Sequence, residues 1–400
     1  MNDVIDEFEK NQNIIISGES ERKRLLYESR ERKLKMWRLS NKCLFRGCNK
    51  PSIPRSHTIQ KEGSLRFICQ SGHLLTPTFD LKLEKLTLKR IGVNDASTFP
   101  GFCNQHELVF CEFETSYDLT ESKHFQLQIF RTICRELVIK RSLLPYLQEM
   151  LKDYLAFRQK KLFDLVKERL GSLYIKNNKI SFKSMSMKNI DWREERINDK
   201  IQNIQKDIHD FETNYYDTIC NDIESEKDDD LFSQGIRLDM QIPVSLAGRG
   251  NFIYNDHGQH KEVNVILIIL PFESWTYILA STPKNNQTCL EGYFSEFTKH
   301  ALTILTMIEG WMIYGSDHWF LKPSVWEQIN PATQQEILNG IERTDKNIGY
   351  PCEYSIFNEL RQQFLSELSR EQKENLHFST KEFILNEEQK LARSYITNAS

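Results

Sequence analysis

Two short segments organise the N-terminal part of this chain, CLFRGC at residues 43–48 and CNQH at residues 103–106. Each stretch puts two metal-ligating residue types on one turn, since Gly47 lies inside the first and Pro100-Gly101 precedes the second. Cysteine thiolates and a histidine nitrogen are the ligands that Zn²⁺ takes in tetrahedral structural sites. The spacing predicts one zinc ion bound by Cys43, Cys48, Cys103 and His106, and the alternative is buried free thiols.

The region around these pairs is small and rich in turns. Residues 43–115 hold five of the nine cysteines, and short β-like runs are predicted at residues 65–69 and 81–91. Modules of this size often need a metal, because their apolar core is thin. Cys69 and His73 form an alternative ligand pair, although turn chemistry between two strands explains them as well.

Between the two pairs, the segment IPRSHTI at residues 53–59 places a histidine directly before Thr-Ile. Here the sequence resembles the HNH group of ββα-metal nucleases, which are built on a treble-clef zinc scaffold. The resemblance covers about 65 of the 400 residues. It implies a knuckle followed by a strand with the catalytic histidine, and a helix that starts at the second knuckle. The residues that match are Cys43, Cys48, His57, Cys103 and His106.

The resemblance also implies catalytic roles. His57 would be the general base that deprotonates a water for attack on a phosphodiester. A divalent ion, Mg²⁺ or Mn²⁺, would stabilise the charge on the phosphate. Glu107, directly after the second knuckle, is the nearest stand-in for the family's last histidine, and Asn94 is the nearest candidate for the middle asparagine. The chain departs from the family pattern at Ser56, where an acid or a second histidine is usual, and in the long interval before the second knuckle. Without catalysis, His57 would be a hydrogen-bonded strand residue or an alternative zinc ligand.

A strongly basic segment precedes the first knuckle. Residues 20–55 contain 12 Lys or Arg and only three Glu, in a chain whose net charge is -3. Because phosphate contacts come mainly from Lys and Arg, this segment predicts nucleic-acid binding. The alternative is a solvated helical face with pairs such as Glu28 and Arg32. The candidate contact residues are Lys35, Arg38, Lys42, Arg46 and Arg55.

The rest of the chain predicts an α+β protein with four regions. Two long helices are expected at residues 123–173 and 192–223, the second with a heptad seam that suits an antiparallel hairpin or a self-association arm. Strands between residues 236 and 282 are followed by helices, one of them starting at Asn330 and the last at 381–396. The predicted regions are a basic helix (1–42), a zinc-binding module (43–118), a helical arm (119–230) and an α+β domain (231–400).

Several function classes are excluded by the sequence. No apolar run is long enough to span a membrane, and the acidic, polar N-terminus is no signal peptide, so we expect a cytoplasmic protein. Phosphate-loop and nucleophile-elbow motifs are missing. The resemblance implies a metal-dependent endonuclease, with DNA as the expected partner and bacterial phage defence as a role. The alternative is a non-catalytic zinc-binding scaffold for nucleic acid or protein.

Overall fold

A computed structural model describes residues 42–371 except 81, 117–118, 178–191, 226–229, 257–258, 344, 368 and 370, and upstream residues 28, 31–32 and 34–37. The protein is a mixed α+β structure, as the sequence predicts. The described residues between 28 and 37 are helical, in agreement with the basic helix. Arg38, most of the region 1–42 and the helix expected at 381–396 lie outside the described residues.

The helices include one that is much longer than the others. In chain order they are α1 (Arg66–Ile68), α2 (Asn104–Glu107), α3 (Cys111–Ser116), α4 (Ser122–Asn177), α5 (Trp192–Phe211), α6 (Asp217–Ser225), α7 (Gln287–Phe297), α8 (Ala301–Gly310), α9 (Pro323–Glu327), α10 (Pro331–Ile341) and α11 (Asn358–Glu367). The side chain of Asn330 accepts a hydrogen bond from Thr333 N, which fixes the predicted start of α10. No helix in the described ranges is both long and apolar enough to cross a membrane.

The strands form two antiparallel sheets. They are β1 (Ser56–His57), β2 (His73–Asp80), β3 (Lys85–Gly92), β4 (Thr98–Phe99), β5 (Leu231–Leu238), β6 (Val244–Asp256), β7 (Gln259–Pro271), β8 (Thr276–Pro283) and β9 (Trp319–Leu321). β1 pairs only with β4, and the other strands form one sheet in the order β3-β2-β9-β6-β7-β8-β5. Strand β7 is an interior strand between β6 and β8, and its run from Val265 to Ile269 is fully buried, as its unbroken apolar sequence requires.

The contacts divide the chain into two compact units. One unit contains the described residues of Met1–Leu39 and Leu137–Phe211, and the other contains Ser40–Glu136 with Glu212–Ser400. The second unit therefore joins the described residues of the predicted zinc-binding module to the C-terminal α+β region. The two regions belong to one unit because they share a sheet, in which β2 from the module pairs with β9 at Leu75 and Leu321.

The first unit contains a helical hairpin, formed by α5 and the part of α4 from Leu137 onward. Lys140 on α4 forms an ion pair with Asp207 on α5, and Arg158 pairs with Glu194 at 3.0 Å. The earlier residue of α4, Lys140, pairs with the later residue of α5, Asp207, and the later residue of α4 pairs with the earlier residue of α5. The two helices are therefore antiparallel. An antiparallel hairpin is one of the two arrangements that the sequence predicts. The seam positions from Ile197 to Ile208 are half-buried, and Phe211 at the end of α5 is fully buried.

The prediction of a strand at residues 65–69 is wrong. Residues Lys61–Leu65 form a wide helical turn that continues into α1. Leu65 and Ile68, three residues apart, are both fully buried. A separation of three residues places both side chains on one face of a helix, whereas in a strand they would point to opposite faces.

Candidate functional site

The first pair of candidate metal ligands lies on a tight turn closed by backbone hydrogen bonds. The N–H of Cys43 donates to Lys50 O at 2.8 Å, and the N–H of Cys48 donates to Phe45 O at 3.0 Å. Gly47 has a φ of +76°, a left-handed conformation that favours glycine. The turn therefore depends on the Arg-Gly of the sequence, and it directs both sulfur atoms to one side.

The second pair lies at the start of α2. Cys103 is the N-cap residue, and its carbonyl accepts from the N–H groups of His106 and Glu107. The N–H of Leu44 donates to Gly101 O at 2.9 Å, so the two ligand turns are joined directly. A side chain at Gly101 would lie 2.4 Å from the Phe99 ring, which explains why this close approach uses glycine.

The four ligand atoms converge as the sequence predicts. Sγ of Cys43 and of Cys103 lie 3.3 and 3.5 Å from His106 Nδ1, and Cys48 Sγ lies 4.0 Å from Cys103 Sγ. All four ligand atoms lie within 4.8 Å of one another. Ligands about 2.0–2.3 Å from a tetrahedral ion are themselves about 3.3–3.8 Å apart, so this cluster can hold a metal ion. Burial raises the pKa of the Cys43 thiol to about 11, and a bound cation would favour its thiolate.

His57 is held in one orientation by its backbone and its neighbour. Strand β1 pairs His57 with Thr98, and the imidazole Nδ1 lies 3.1 Å from Ala96 O. Since a carbonyl only accepts, Nδ1 carries the proton and Nε2 is the basic nitrogen. Burial, reinforced by the positive charge of Arg131, lowers the pKa of His57 to about 4. The half-buried imidazole is therefore neutral at physiological pH.

Glu107 lies beside His57, at the end of α2. The hydroxyl of Ser56 and the backbone N–H of His57 face its carboxylate, and Arg131 Nη2 is 3.7 Å from Oε1. Burial raises the pKa of Glu107 despite these three favourable groups. Oε2 is buried and has no hydrogen-bond partner among the described residues. Strand β1 and helix α2 thus bring the Glu107 carboxylate to the backbone of His57, although the two residues are 50 positions apart in the sequence.

Two residues of this cluster are not identified from the sequence. Arg131 on α4 is fully buried, donates to Glu114 Oε1 at 2.7 Å and lies 4.2 Å above the Phe110 ring. Nearby, Gln128 Nε2 donates to Thr58 O at 2.9 Å. Arg and Gln on amphipathic helices are normally solvated, so no local pattern distinguishes this pair. The contacts of Arg131 with Phe110 and Glu114, and of Gln128 with Thr58, bury the two side chains.

The other candidate residues are dispersed. Asn94 is exposed in the turn before β4, and Lys35 is exposed on the N-terminal helix. His73 is exposed with Nδ1 2.8 Å from Ser71 O, and Cys69 is not in the four-ligand cluster. Lys42 is also exposed, with Nζ 3.4 Å from Asn49 Oδ1.

Two candidate phosphate contacts already have anionic partners. Arg46 donates to Asn221 and forms ion pairs with Asp217 and Glu224 on α6. Arg55 pairs with Asp95 at 3.2 Å, with both side chains largely exposed. An exposed pair exchanges readily for another anion, whereas Arg46 has three competing partners. Among the five predicted contacts, Lys35, Lys42 and Arg55 are therefore the more accessible to phosphate.

Comparison of the chain with protein-family models, with curated proteins and with solved structures finds no match. Function is therefore inferred from the geometry of the site.

Proposed function

We propose that this protein is a zinc-stabilised, HNH-like endonuclease that hydrolyses phosphodiester bonds in nucleic acid. The observation that supports it is the position of His57, whose neutral ring is hydrogen-bonded to Ala96 O and whose backbone N–H faces the Glu107 carboxylate. In this proposal Zn²⁺ occupies the Cys43, Cys48, Cys103 and His106 cluster, and a treble-clef scaffold connects it to the catalytic residues. DNA in the cytoplasm is the proposed substrate, and defence of a bacterium against phage is the proposed role.

The chemistry assigned to each residue follows from its surroundings. Nε2 of His57 accepts a proton from the attacking water, because Nδ1 is engaged with Ala96 O. The unpartnered Oε2 of Glu107 is the oxygen available to hold Mg²⁺ or Mn²⁺. When bound, such a cation supplies charge stabilisation at the scissile phosphate. Lys42 and Arg55 would position the substrate backbone.

The test compares His57→Ala with His73→Ala, which removes an exposed histidine of the same region. Purified proteins are incubated with supercoiled plasmid and with RNA in the presence of Mg²⁺ or Mn²⁺. We expect His57→Ala to lose about 10²–10⁴-fold in cleavage rate, as for a general base, while His73→Ala retains activity. The cluster of Cys43, Cys48, Cys103 and His106 should hold about one zinc ion in the wild type and in both variants. Cleavage that survives in His57→Ala would contradict the proposal.

A non-catalytic scaffold is the second candidate, and Arg131 is the observation that favours it. Its guanidinium lies close to both Glu107 and Glu114 and compensates part of the charge that would attract a metal. A scaffold would bind nucleic acid or protein without cutting it, and His57→Ala would leave that binding intact. The sequence allows the helical arm to self-associate or to fold as an antiparallel hairpin. The pairing of α4 with α5 within the chain favours the hairpin over self-association.

A further inference from the structure

A second cluster of metal-ligating side chains lies where α3 is followed by α4. Glu112 belongs to α3, Glu121 directly precedes α4, and His124 lies in the first turn of α4. One ligand atom from each residue lies within 4.8 Å of the other two. The N–H of His124 donates to Glu121 O at 3.0 Å, so the backbone holds these two residues close together.

The buried histidine distinguishes this cluster from an ordinary group of surface acids. His124 is only 4% exposed, and neither ring nitrogen has a hydrogen-bond partner among the described residues. Its Nε2 lies 3.9 Å from Glu112 Oε1, which is too long for a hydrogen bond. The Phe113 ring, at 5.7 Å, supplies only an apolar surface. Buried polar groups are nearly always satisfied, so an imidazole in this position needs a partner from outside the protein, a water molecule or a bound ion.

We propose that Glu112, Glu121 and His124 bind a divalent first-row transition cation such as Zn²⁺. One imidazole nitrogen with two carboxylate oxygens is a donor set for this class of ion, whereas Mg²⁺ and Ca²⁺ prefer oxygen alone. Both glutamates are exposed, so their carboxylates can rotate toward a common ion. Three protein ligands leave a coordination position for water. The ion would connect α3 to the start of α4, independently of the proposed nuclease activity.

The test is the zinc stoichiometry of the full chain after dialysis against micromolar Zn²⁺, measured by elemental analysis. Zinc is the appropriate probe because it binds sites of this kind more tightly than Mn²⁺, Fe²⁺ or Co²⁺. We expect two zinc ions in the wild type and one in Glu112→Gln/Glu121→Gln. The matched control is Glu336→Gln/Glu342→Gln, which removes two exposed acids around α10. This control should keep both ions.

Two further variants identify which ion is lost. His124→Asn should lose the same ion as the double glutamine variant, and Cys48→Ser should lose the ion of the four-ligand cluster instead. His57→Ala should retain both ions, which separates this site from the proposed catalytic cation. Equal zinc content in the wild type and the double glutamine variant would overturn the proposal. An unchanged stoichiometry in folded His124→Asn, checked by circular dichroism, would also overturn it.

Discussion

At the residue scale, His57 shows how packing converts a common side chain into a base with a defined tautomer. Its Nδ1 is directed to Ala96 O by the pairing of β1 with β4, and its ring lies in the field of the buried Arg131. Desolvation and the neighbouring cation both disfavour the protonated form. The same neighbours thus leave Nε2 unprotonated at neutral pH and determine how the protein responds to acid.

Acidification should destabilise the protein through His57. The unfolded histidine binds a proton near pH 6.5, but the folded one does so only near pH 4. Between these values the unfolded state holds more protons, so the free energy of unfolding rises with pH and falls as the solution is acidified. We expect His57→Gln to flatten this dependence when urea unfolding is measured at pH 7 and at pH 5.

The control for this pH measurement is the exposed His73→Gln, which should keep the slope of the wild type. A residual slope should persist in His57→Gln, because burial lowers the pKa of His318 as well. Glu107 contributes with the opposite sign, since its pKa is raised in the folded protein. The measured quantity is therefore the difference between variants in how the free energy of unfolding depends on pH. An identical pH dependence for His57→Gln and the wild type would contradict the lowered pKa of His57.

The zinc-ligand candidates could be predicted from the sequence, whereas the residues around His57 could not. Cys43 and Cys48, like Cys103 and His106, are close in sequence and lie on turns marked by glycine, so spacing alone brings each pair together. Arg131 and Glu114 are 17 residues apart on different helices. Their burial depends on tertiary packing, for which the local sequence gives no signal.

At the scale of secondary-structure elements, a buried ion pair joins α8 to α11. Glu309 and Arg361 are both fully buried, and Nη1 of Arg361 donates to Glu309 Oε1 at 2.6 Å. The same oxygen accepts from the N–H groups of Ile356 and Phe357, which precede α11. Glu309 thus fixes the chain segment that leads into α11.

Removing the cation of this pair should be costly. Arg361→Met leaves a buried carboxylate unpaired, and we expect a loss of about 3–5 kcal/mol in the free energy of unfolding by urea denaturation. The control, Arg343→Met, breaks an exposed pair with Asp345 and should leave the midpoint unchanged. Glu309→Gln/Arg361→Met removes both charges and should recover part of the loss. A midpoint for Arg361→Met equal to that of the control would contradict this account.

Helices of several turns are the elements that the sequence predicts best. Apolar residues spaced by three and four over many turns identify α4 and α5, and the Asn330-Pro331 signal locates α10. The segment 65–69 is too short to show a period, so its β-branched and aromatic residues favoured a strand. In the structure this segment is helical, which places the buried side chains of Leu65 and Ile68 on the same face.

At the scale of the whole molecule, the candidate metal cluster and the C-terminal sheet belong to one compact unit. Tyr216 Oη donates to Leu44 O at 2.7 Å beside the first ligand turn, and Ser324 N donates to the side chain of Gln70 at 2.8 Å. These contacts join residues more than 170 positions apart. Periodicity and composition are local properties, and therefore the sequence could not predict a sheet shared by both regions.

Loss of the proposed zinc ion should therefore unfold the sheet together with the ligand turns. Structural zinc contributes about 10–16 kcal/mol of apparent binding free energy in small zinc peptides, comparable with the entire stability of a domain. We expect Cys48→Ser to lower the thermal midpoint reported by tryptophan fluorescence, to which the buried Trp311 and Trp319 contribute. Cys69→Ser, a cysteine outside the cluster, is the control. An unchanged midpoint for Cys48→Ser would show that the sheet is stable without the metal.

Strand β9 has a consequence for synthesis of the protein on the ribosome. It lies between β2 and β6, so the sheet stays divided until residue 321 has been made. The four metal ligands are complete at residue 106, more than 200 residues earlier. The nascent chain thus displays the hairpin of β2 and β3 with an unpaired edge while the rest is translated, and such edges are prone to aggregation. Early metal capture would order the adjoining turns during this interval, and the last steps of folding would follow the emergence of β9.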